Sequence, residues 1–206
     1  MKRRPFKYLV IVAALFMLMS SCLQFRYTDR KQRNELDEIG EKHTVIIDKI
    51  KVSERELHYT LVKAADSLPT AVFVHGSPGS SSNFIQYAKD NRLLSTYNVL
   101  LVDRPGFGYS GFGDSEPLLS KQATLMNGLL DSLEITQRVL VGHSLGGPII
   151  CQMAMDAPKT TKALLIVAGS VSAELEPKEP WRKPLSSRAL RWILPKSFRT
   201  SNDEIL

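Results

Sequence analysis

The chain has 206 residues, of which 43% are apolar and 23% charged, the balance of an ordinary globular protein. This composition excludes a largely disordered chain, and the length suffices for one domain with a sizeable core. The net charge is +6, but Lys2, Arg3, Arg4 and Lys7 supply four of those charges, so the rest carries only +2. The charge therefore indicates no nucleic-acid partner.

The N-terminus has the layout of a signal peptide. Its basic residues precede an apolar run over residues 8–19, which ends at Ser20, Ser21 and Cys22. The run is shorter than the roughly 20 residues that cross a bilayer, so cleavage is favoured over a membrane span. Its end resembles a bacterial lipoprotein signal, in which the cysteine is acylated and becomes the new N-terminus. We therefore expect residues 1–21 to be removed and Cys22 to carry a lipid. That lipid would hold the protein to a membrane of the bacterial cell envelope, facing outside the cytoplasm.

The residues around this cysteine leave one alternative open. An uncleaved anchor could extend through Leu23 and Phe25, although charged residues resume at Arg26. The dense charge and weak apolar periodicity of residues 26–42 predict a poorly ordered tether over residues 22–43. With Cys22 acylated, Cys151 has no partner for a disulfide, and its apolar neighbours predict a buried, unreactive thiol.

From residue 44 onward, strand patterns alternate with helix patterns. Residues 44–52 and 56–63 show period-two alternation and predict a hairpin. Short apolar runs predict buried strands at residues 70–74, 98–102, 138–141 and 163–168. Helices are predicted over residues 82–94, 118–133 and 145–156. This alternation predicts an α/β domain with a mostly parallel sheet and helices on both faces.

Three glycine-containing motifs follow successive predicted strands. They are His75-Gly76-Ser77-Pro78-Gly79, Asp103-Arg104-Pro105-Gly106-Phe107-Gly108-Tyr109-Ser110 and Gly142-His143-Ser144-Leu145-Gly146-Gly147. The third is G-x-S-x-G between a strand and a helix, where a tight turn exposes the serine hydroxyl. We predict Ser144 as a catalytic nucleophile. The backbone N–H groups of Ser77 and Leu145 are the predicted oxyanion hole.

In this order the motifs resemble those of the α/β-hydrolase family, over about residues 44–169, the N-terminal half of that fold. The resemblance implies acyl transfer to Ser144 and then hydrolysis of an ester, lipid, amide or peptide bond, without cofactor or metal. The partners implied are such a small-molecule, lipid or peptide substrate and the membrane that holds the lipid anchor. Family members that open epoxides or remove halogens carry aspartate at the elbow, so Ser144 argues against both.

Simpler roles are expected for the other polar residues of these motifs. Asp103 and Arg104 are expected to fix a turn. His75 and His143 lie inside turns, so each is a minor candidate for the catalytic base. The remaining histidines, His43 and His58, are expected on the surface or in the hairpin.

The triad partners that the resemblance implies are missing from the sequence. In that family an acid and then a histidine follow the serine along the chain. No histidine follows Ser144, and the acids that follow on the exit from the last predicted strand are Glu174, Glu176 and Glu179, of which Glu174 is a minor candidate. Residues 181–194 predict an amphipathic helix, the start of a lid over residues 174–206. We therefore expect a fragment without its acid and base. The alternative is a catalytically inactive, membrane-anchored binding protein with a hydrolase-like fold.

Overall fold

The computed structural model describes residues 26–169 continuously, together with residues 8, 11, 12, 180, 184, 187, 194, 196 and 198–200. Several predictions lie outside the described residues: lipid attachment at Cys22, the alternative anchor through Leu23 and Phe25, and the acid candidates Glu174, Glu176 and Glu179. Most of the predicted signal peptide and lid helix lies outside them too. Over the part that is described, no helix is long and apolar enough to cross a membrane.

One six-stranded sheet organises residues 44–167, in the order β1-β2-β4-β3-β5-β6. The strands are β1 (Thr44–Val52), β2 (Arg55–Lys63), β3 (Thr70–Val74), β4 (Asn98–Val102), β5 (Arg138–His143) and β6 (Thr161–Val167). β1 and β2 form the predicted hairpin, and β2 pairs antiparallel with β4. The other neighbours pair in parallel. The prediction of a mostly parallel α/β sheet is confirmed.

Helices cover both faces of this sheet. They are α1 (Asp29–Gly40), the one-turn α2 (Asn91–Leu94), α3 (Leu119–Ser132) and α4 (Gly146–Asp156). Side chains of α3 and α4 join one core cluster, and side chains of α1 and α2 join a second. Every residue of β3 and β4 is buried between the two layers, which is why these strands are continuous apolar runs without alternation.

The region predicted as a helix over residues 82–94 is divided into three short pieces. Two 3₁₀ turns, Ser81–Phe84 and Tyr87–Lys89, precede α2. Asp90 causes the last break, because it has an extended backbone and its carboxylate accepts the N–H groups of Arg92 and Leu93. This is an N-cap, so a new helix begins at Asn91 rather than the old one continuing.

The predicted tether is wrong over residues 29–40, where α1 packs onto the sheet. Gln32, Leu36 and Ile39 are buried along one face of the helix, and only Leu36 and Ile39 are apolar. The polar Gln32 accepts a hydrogen bond from the Thr60 hydroxyl at 2.8 Å. A polar residue in the buried stripe and charges on the remaining faces concealed the amphipathic pattern.

Cys151 also differs from its prediction. It lies on α4 as a free thiol that is half-buried rather than fully buried.

Candidate active site

The motif around Ser144 forms the turn between β5 and α4. Ser144 has a φ of 52°, in the left-handed region that side-chain-bearing residues rarely adopt. The turn is fixed on both sides, because the Ser144 N–H donates to the Val167 carbonyl at 3.0 Å and the Ser144 carbonyl accepts from the Gly147 N–H at 2.8 Å. Ser144 thus lies half-buried at the carboxyl edge of the sheet, as expected for a nucleophile elbow.

Two glycines make this turn possible. A Cβ on Gly142 would lie 2.5 Å from the Gly146 carbonyl oxygen, and one on Gly146 would collide with the Val74 carbonyl oxygen. Both obstacles are backbone atoms, which cannot rotate away as a side chain can. The motif therefore needs glycine at positions 142 and 146 because the backbones of β3, β5 and α4 approach one another closely there.

The loop after β3 lies directly against the elbow. A Cβ on Gly76 would lie 2.8 Å from Ser144 Cβ and 3.1 Å from the His143 carbonyl oxygen. Ser77 follows Gly76, and Leu145 follows Ser144 at the N-terminal boundary of α4. The structure therefore brings together the two loops that carry the predicted nucleophile and the predicted oxyanion-hole residues.

His75 is committed to holding this loop. Its Nδ1–H donates to the Gly76 carbonyl at 2.7 Å, and its Nε2 accepts the Arg104 N–H at 3.1 Å. Complete burial, and then the positive charge of Arg104, lower the pKa of His75 from 6.5 to about 3. A neutral ring with both nitrogens engaged does not suit a general base at neutral pH.

Arg104 fixes the same loop from the other side. Its guanidinium is fully buried and donates to the Gly76 carbonyl at 3.0 Å and to Gln122 Oε1 at 2.9 Å. It also lies over the Phe107 ring, 4.5 Å from the centroid. Arg104 thus links the loop after β4 to the loop beside Ser144, a positioning contact consistent with the turn-fixing role predicted for it.

Asp103 organises the turn that follows β4. Its carboxylate accepts the N–H groups of Ser81 at 2.7 Å and Tyr109 at 2.9 Å, and lies 2.8 Å from His58 Nδ1. Burial acts to raise the pKa of Asp103, but the hydrogen bond and charge of His58, with the Ser81 N–H, together hold that pKa below its usual range.

The Asp103–His58 pair was not predicted from the sequence. His58 lies in the hairpin strand β2, as expected, but only 1% of it is exposed, so it is not a surface residue. The signal was the pairing register: Tyr59 lies opposite Val102 in the antiparallel ladder, so His58 comes next to the residue that follows β4. The other two histidines differ in setting, since His43 is half-buried before β1 and His143 is exposed at the elbow.

An open pocket of about 420 Å³ lies beside the loop after β3, lined by Arg26, Tyr27, Ser82, Asn83, Ile85 and Gln86. Asn83 connects it to this loop, because a Cβ on Gly79 would lie 3.1 Å from Asn83 Nδ2. Within the described part of the chain, no group of three or more His, Cys, Asp or Glu residues is placed to hold a metal ion.

A mostly parallel sheet with a serine at a strained strand-to-helix elbow, and a glycine loop against it, defines the α/β-hydrolase class of proteins. The sequence model of the alpha/beta hydrolase fold matches residues 69–202, well over half of the chain. The chain therefore belongs to the α/β-hydrolase family.

Curated relatives of the chain include enzymes that act on esters. The chain is 34% identical over 111 residues to the sn-1-specific diacylglycerol lipase ABHD11 of Mus musculus. The aligned residues cover 54% of this chain and 36% of that protein. It is 33% identical over 113 residues to the pimeloyl-[acyl-carrier protein] methyl ester esterase of Shewanella oneidensis. This alignment covers 55% of this chain and 40% of the esterase. The chain thus spans less than half the length of these relatives.

Solved structures share the fold at low sequence identity. A putative lipase from Acinetobacter baumannii superposes with a TM-score of 0.63 at 20% identity, covering 87% of this chain and 65% of that one. A membrane phospholipase A described as a bacterial virulence factor superposes with a TM-score of 0.62 at 17% identity. That superposition covers 97% of this chain and 68% of the phospholipase chain. These similarities establish the fold.

Proposed function

We propose that this chain is the nucleophile-bearing part of a serine hydrolase that cleaves an ester, lipid, amide or peptide bond. The observation that carries the proposal is the left-handed φ of Ser144 in an elbow against which Gly76 packs. Strain at a side-chain-bearing residue persists where the surrounding structure enforces it, and it concentrates at functional sites. The lipase and the esterase among the relatives support the choice of an ester or lipid substrate.

The first chemical step follows from this geometry. The Ser144 hydroxyl attacks the carbonyl carbon of the substrate and loses its proton to a base, which leaves a negative oxygen on a tetrahedral intermediate. The backbone N–H groups of Ser77 and Leu145 bind that oxygen in the proposed mechanism, and the positive end of the α4 dipole favours it. Collapse of the intermediate expels the leaving group and gives an acyl-Ser144 ester, which water then hydrolyses.

The acid and base belong, in our proposal, to sequence beyond Leu206. No histidine follows Ser144 in these 206 residues, His75 is committed to its loop and His58 lies against Asp103. Loss of triad members lowers turnover by roughly 10⁴ to 10⁶ while an oxyanion hole leaves a small residual rate. The chain alone is therefore expected to be inactive or nearly so.

The proposal also includes a lipid anchor at Cys22, on the apolar run of residues 8–19 and the Ser20-Ser21-Cys22 sequence that ends it. The acylated protein would then be held at the outer face of a membrane of the bacterial cell envelope. Mass spectrometry of the protein extracted from membranes tests this directly, because cleavage before Cys22 removes the mass of residues 1–21 and acylation of Cys22 adds the mass of the lipid.

The experiment that tests the catalytic proposal is covalent labelling with a fluorophosphonate probe. The 206-residue chain is compared with a chain extended through the downstream reading frame, each with Ser144→Ala and, as a matched control, Ser132→Ala on the exposed end of α3. Labelling of the extended chain that Ser144→Ala removes and Ser132→Ala does not would support the proposal. If neither chain is labelled although both fold, the catalytic proposal fails and the inactive binding protein takes its place.

A further inference from the structure

We infer that the carboxyl edge of the sheet, which carries Ser144, faces the lipid bilayer and lies close to it. The inference rests on the proposed lipid anchor at Cys22 and goes beyond it by giving the orientation of the site. The surface concerned consists of Arg26, Tyr27 and the first half of α1, with the loops after β3 and β4. Its partner is an anionic phospholipid membrane.

The chain enters the fold at the carboxyl edge of the sheet. Arg26 donates to the Gly108 carbonyl oxygen, and its guanidinium carbon lies 3.8 Å from the centroid of the Tyr109 ring. The next residue, Tyr27, donates its N–H to Ser82 Oγ at 3.1 Å. Gly108 and Tyr109 follow β4, and Ser82 follows β3. Because β3, β4 and β5 are parallel, these contacts lie at the same sheet edge as Ser144.

Only a short length of chain separates this point of entry from the proposed anchor. Cys22 is four residues before Arg26, and an extended chain spans at most about 3.6 Å per residue, so roughly 14 Å separate them at most. A tether of some twenty residues would let the domain turn freely. Four residues joined to a contact at the carboxyl edge keep that edge near the bilayer.

Charge is distributed unevenly along α1. This helix runs from the carboxyl edge, where Asp29 lies 3.3 Å from His58 Nε2, to the opposite edge, where Gly40 approaches Val45. Residues 29–34, the first half, carry three basic side chains and the acidic Asp29, a net charge of +2. Residues 35–40, the second half, carry three acidic side chains and no basic one, a net charge of −3. Lysine and arginine near an anionic bilayer are attracted to it and acidic residues are repelled. The charge asymmetry therefore favours the same orientation as the short tether.

The test measures the distance from two labelled positions to the bilayer. The acylated full chain carries Cys151→Ser and one new cysteine, either Leu118→Cys at the start of α3 or Gln137→Cys before β5; both positions are exposed. The two lie at opposite sheet edges, separated by roughly the 20 Å that a fourteen-residue helix spans. Each is labelled with a fluorophore in phosphatidylethanolamine and phosphatidylglycerol vesicles whose headgroups carry an energy acceptor.

We expect stronger energy transfer from position 118 than from position 137. The fluorophore at position 118 should lie closer to the bilayer surface than the one at position 137, by up to the roughly 20 Å length of α3. Insertion of about 20 glycine and serine residues after Gln24 should abolish the difference, because such a linker spans about 25 Å on average. The double variant R30E/K31E should reduce it in phosphatidylglycerol vesicles and leave it unchanged in neutral phosphatidylcholine vesicles.

Three results would overturn the inference: equal transfer from both positions, stronger transfer from position 137, or absence of acylation at Cys22. None of these readouts depends on catalysis. Fluorophosphonate labelling of Ser144 can therefore fail while the orientation holds, and the orientation can fail while labelling succeeds.

Discussion

At Gly146 a missing side chain decides whether the elbow forms. We predict that Gly146→Ala destabilises the protein by about 3 kcal/mol, because the new Cβ collides with the backbone oxygen of Val74. Gly40→Ala is the matched control, since the nearest atom to its Cβ would be 3.9 Å away, and it should change stability by less than about 1 kcal/mol. Urea denaturation measures both free energies of unfolding. Equal effects would show that the close approach at the elbow is not the cause.

The buried ring of His75 predicts a dependence of stability on pH. The pKa of His75 is about 3 in the folded protein, below the ordinary 6.5. Between these values the unfolded chain binds a proton that the folded protein does not, so stability falls as the pH is lowered through this range. The contribution is about 1.4 kcal/mol per pH unit.

Urea denaturation at pH 7, 6 and 5 checks this dependence. His75→Gln should be less stable than the parent at pH 7 but should lose less stability on acidification. His43→Gln, at a half-buried position before β1, is the matched control for replacement of a histidine. A parental slope retained in His75→Gln would assign the acid sensitivity to other groups.

Among the helices, α1 tests whether the segment next to the proposed anchor belongs to the domain. Leu36 is 1% exposed and packs in the core cluster between α1 and the sheet. We predict that Leu36→Ala lowers the free energy of unfolding by about 3 kcal/mol through the cavity it leaves. Asp37→Ala, on the exposed side of the same helix, should change it by less than about 0.5 kcal/mol. Similar small effects of both would mean that α1 does not contribute to the stability of the core.

The strands that are continuous runs of apolar residues could be predicted from the sequence. β3 and β4 are continuous apolar runs, and their observed bounds are those predicted. Prediction failed where one polar residue decided the outcome: Gln32 in the buried stripe of α1, and Asp90 as the cap that divides residues 82–94. The Asp103–His58 pair was missed for another reason, because it joins residues 45 positions apart and depends on the register between β2 and β4.

For the molecule as a whole, β6 is the part of the sheet that the described residues leave least covered. Its residues Leu164, Leu165, Ile166 and Val167 are 40–55% exposed, although apolar side chains alternate onto both faces of the strand. β6 pairs with β5 on one side, and β6 ends the strand order of the sheet. Exposed apolar strands at a sheet edge favour pairing between molecules.

We therefore predict that the chain, produced from residue 23 onward without a lipid, self-associates through β6. Leu165→Lys and Val167→Lys together place two charges on one face of this strand and should shift the protein toward monomer, since charged side chains on an edge strand oppose intermolecular pairing. Sedimentation velocity over a series of concentrations measures the shift. Lys159→Glu, exposed in the turn before β6, is the control and should leave self-association unchanged. A parent chain that stays monomeric over the whole series would contradict the prediction, and so would a double variant that associates as strongly as the parent.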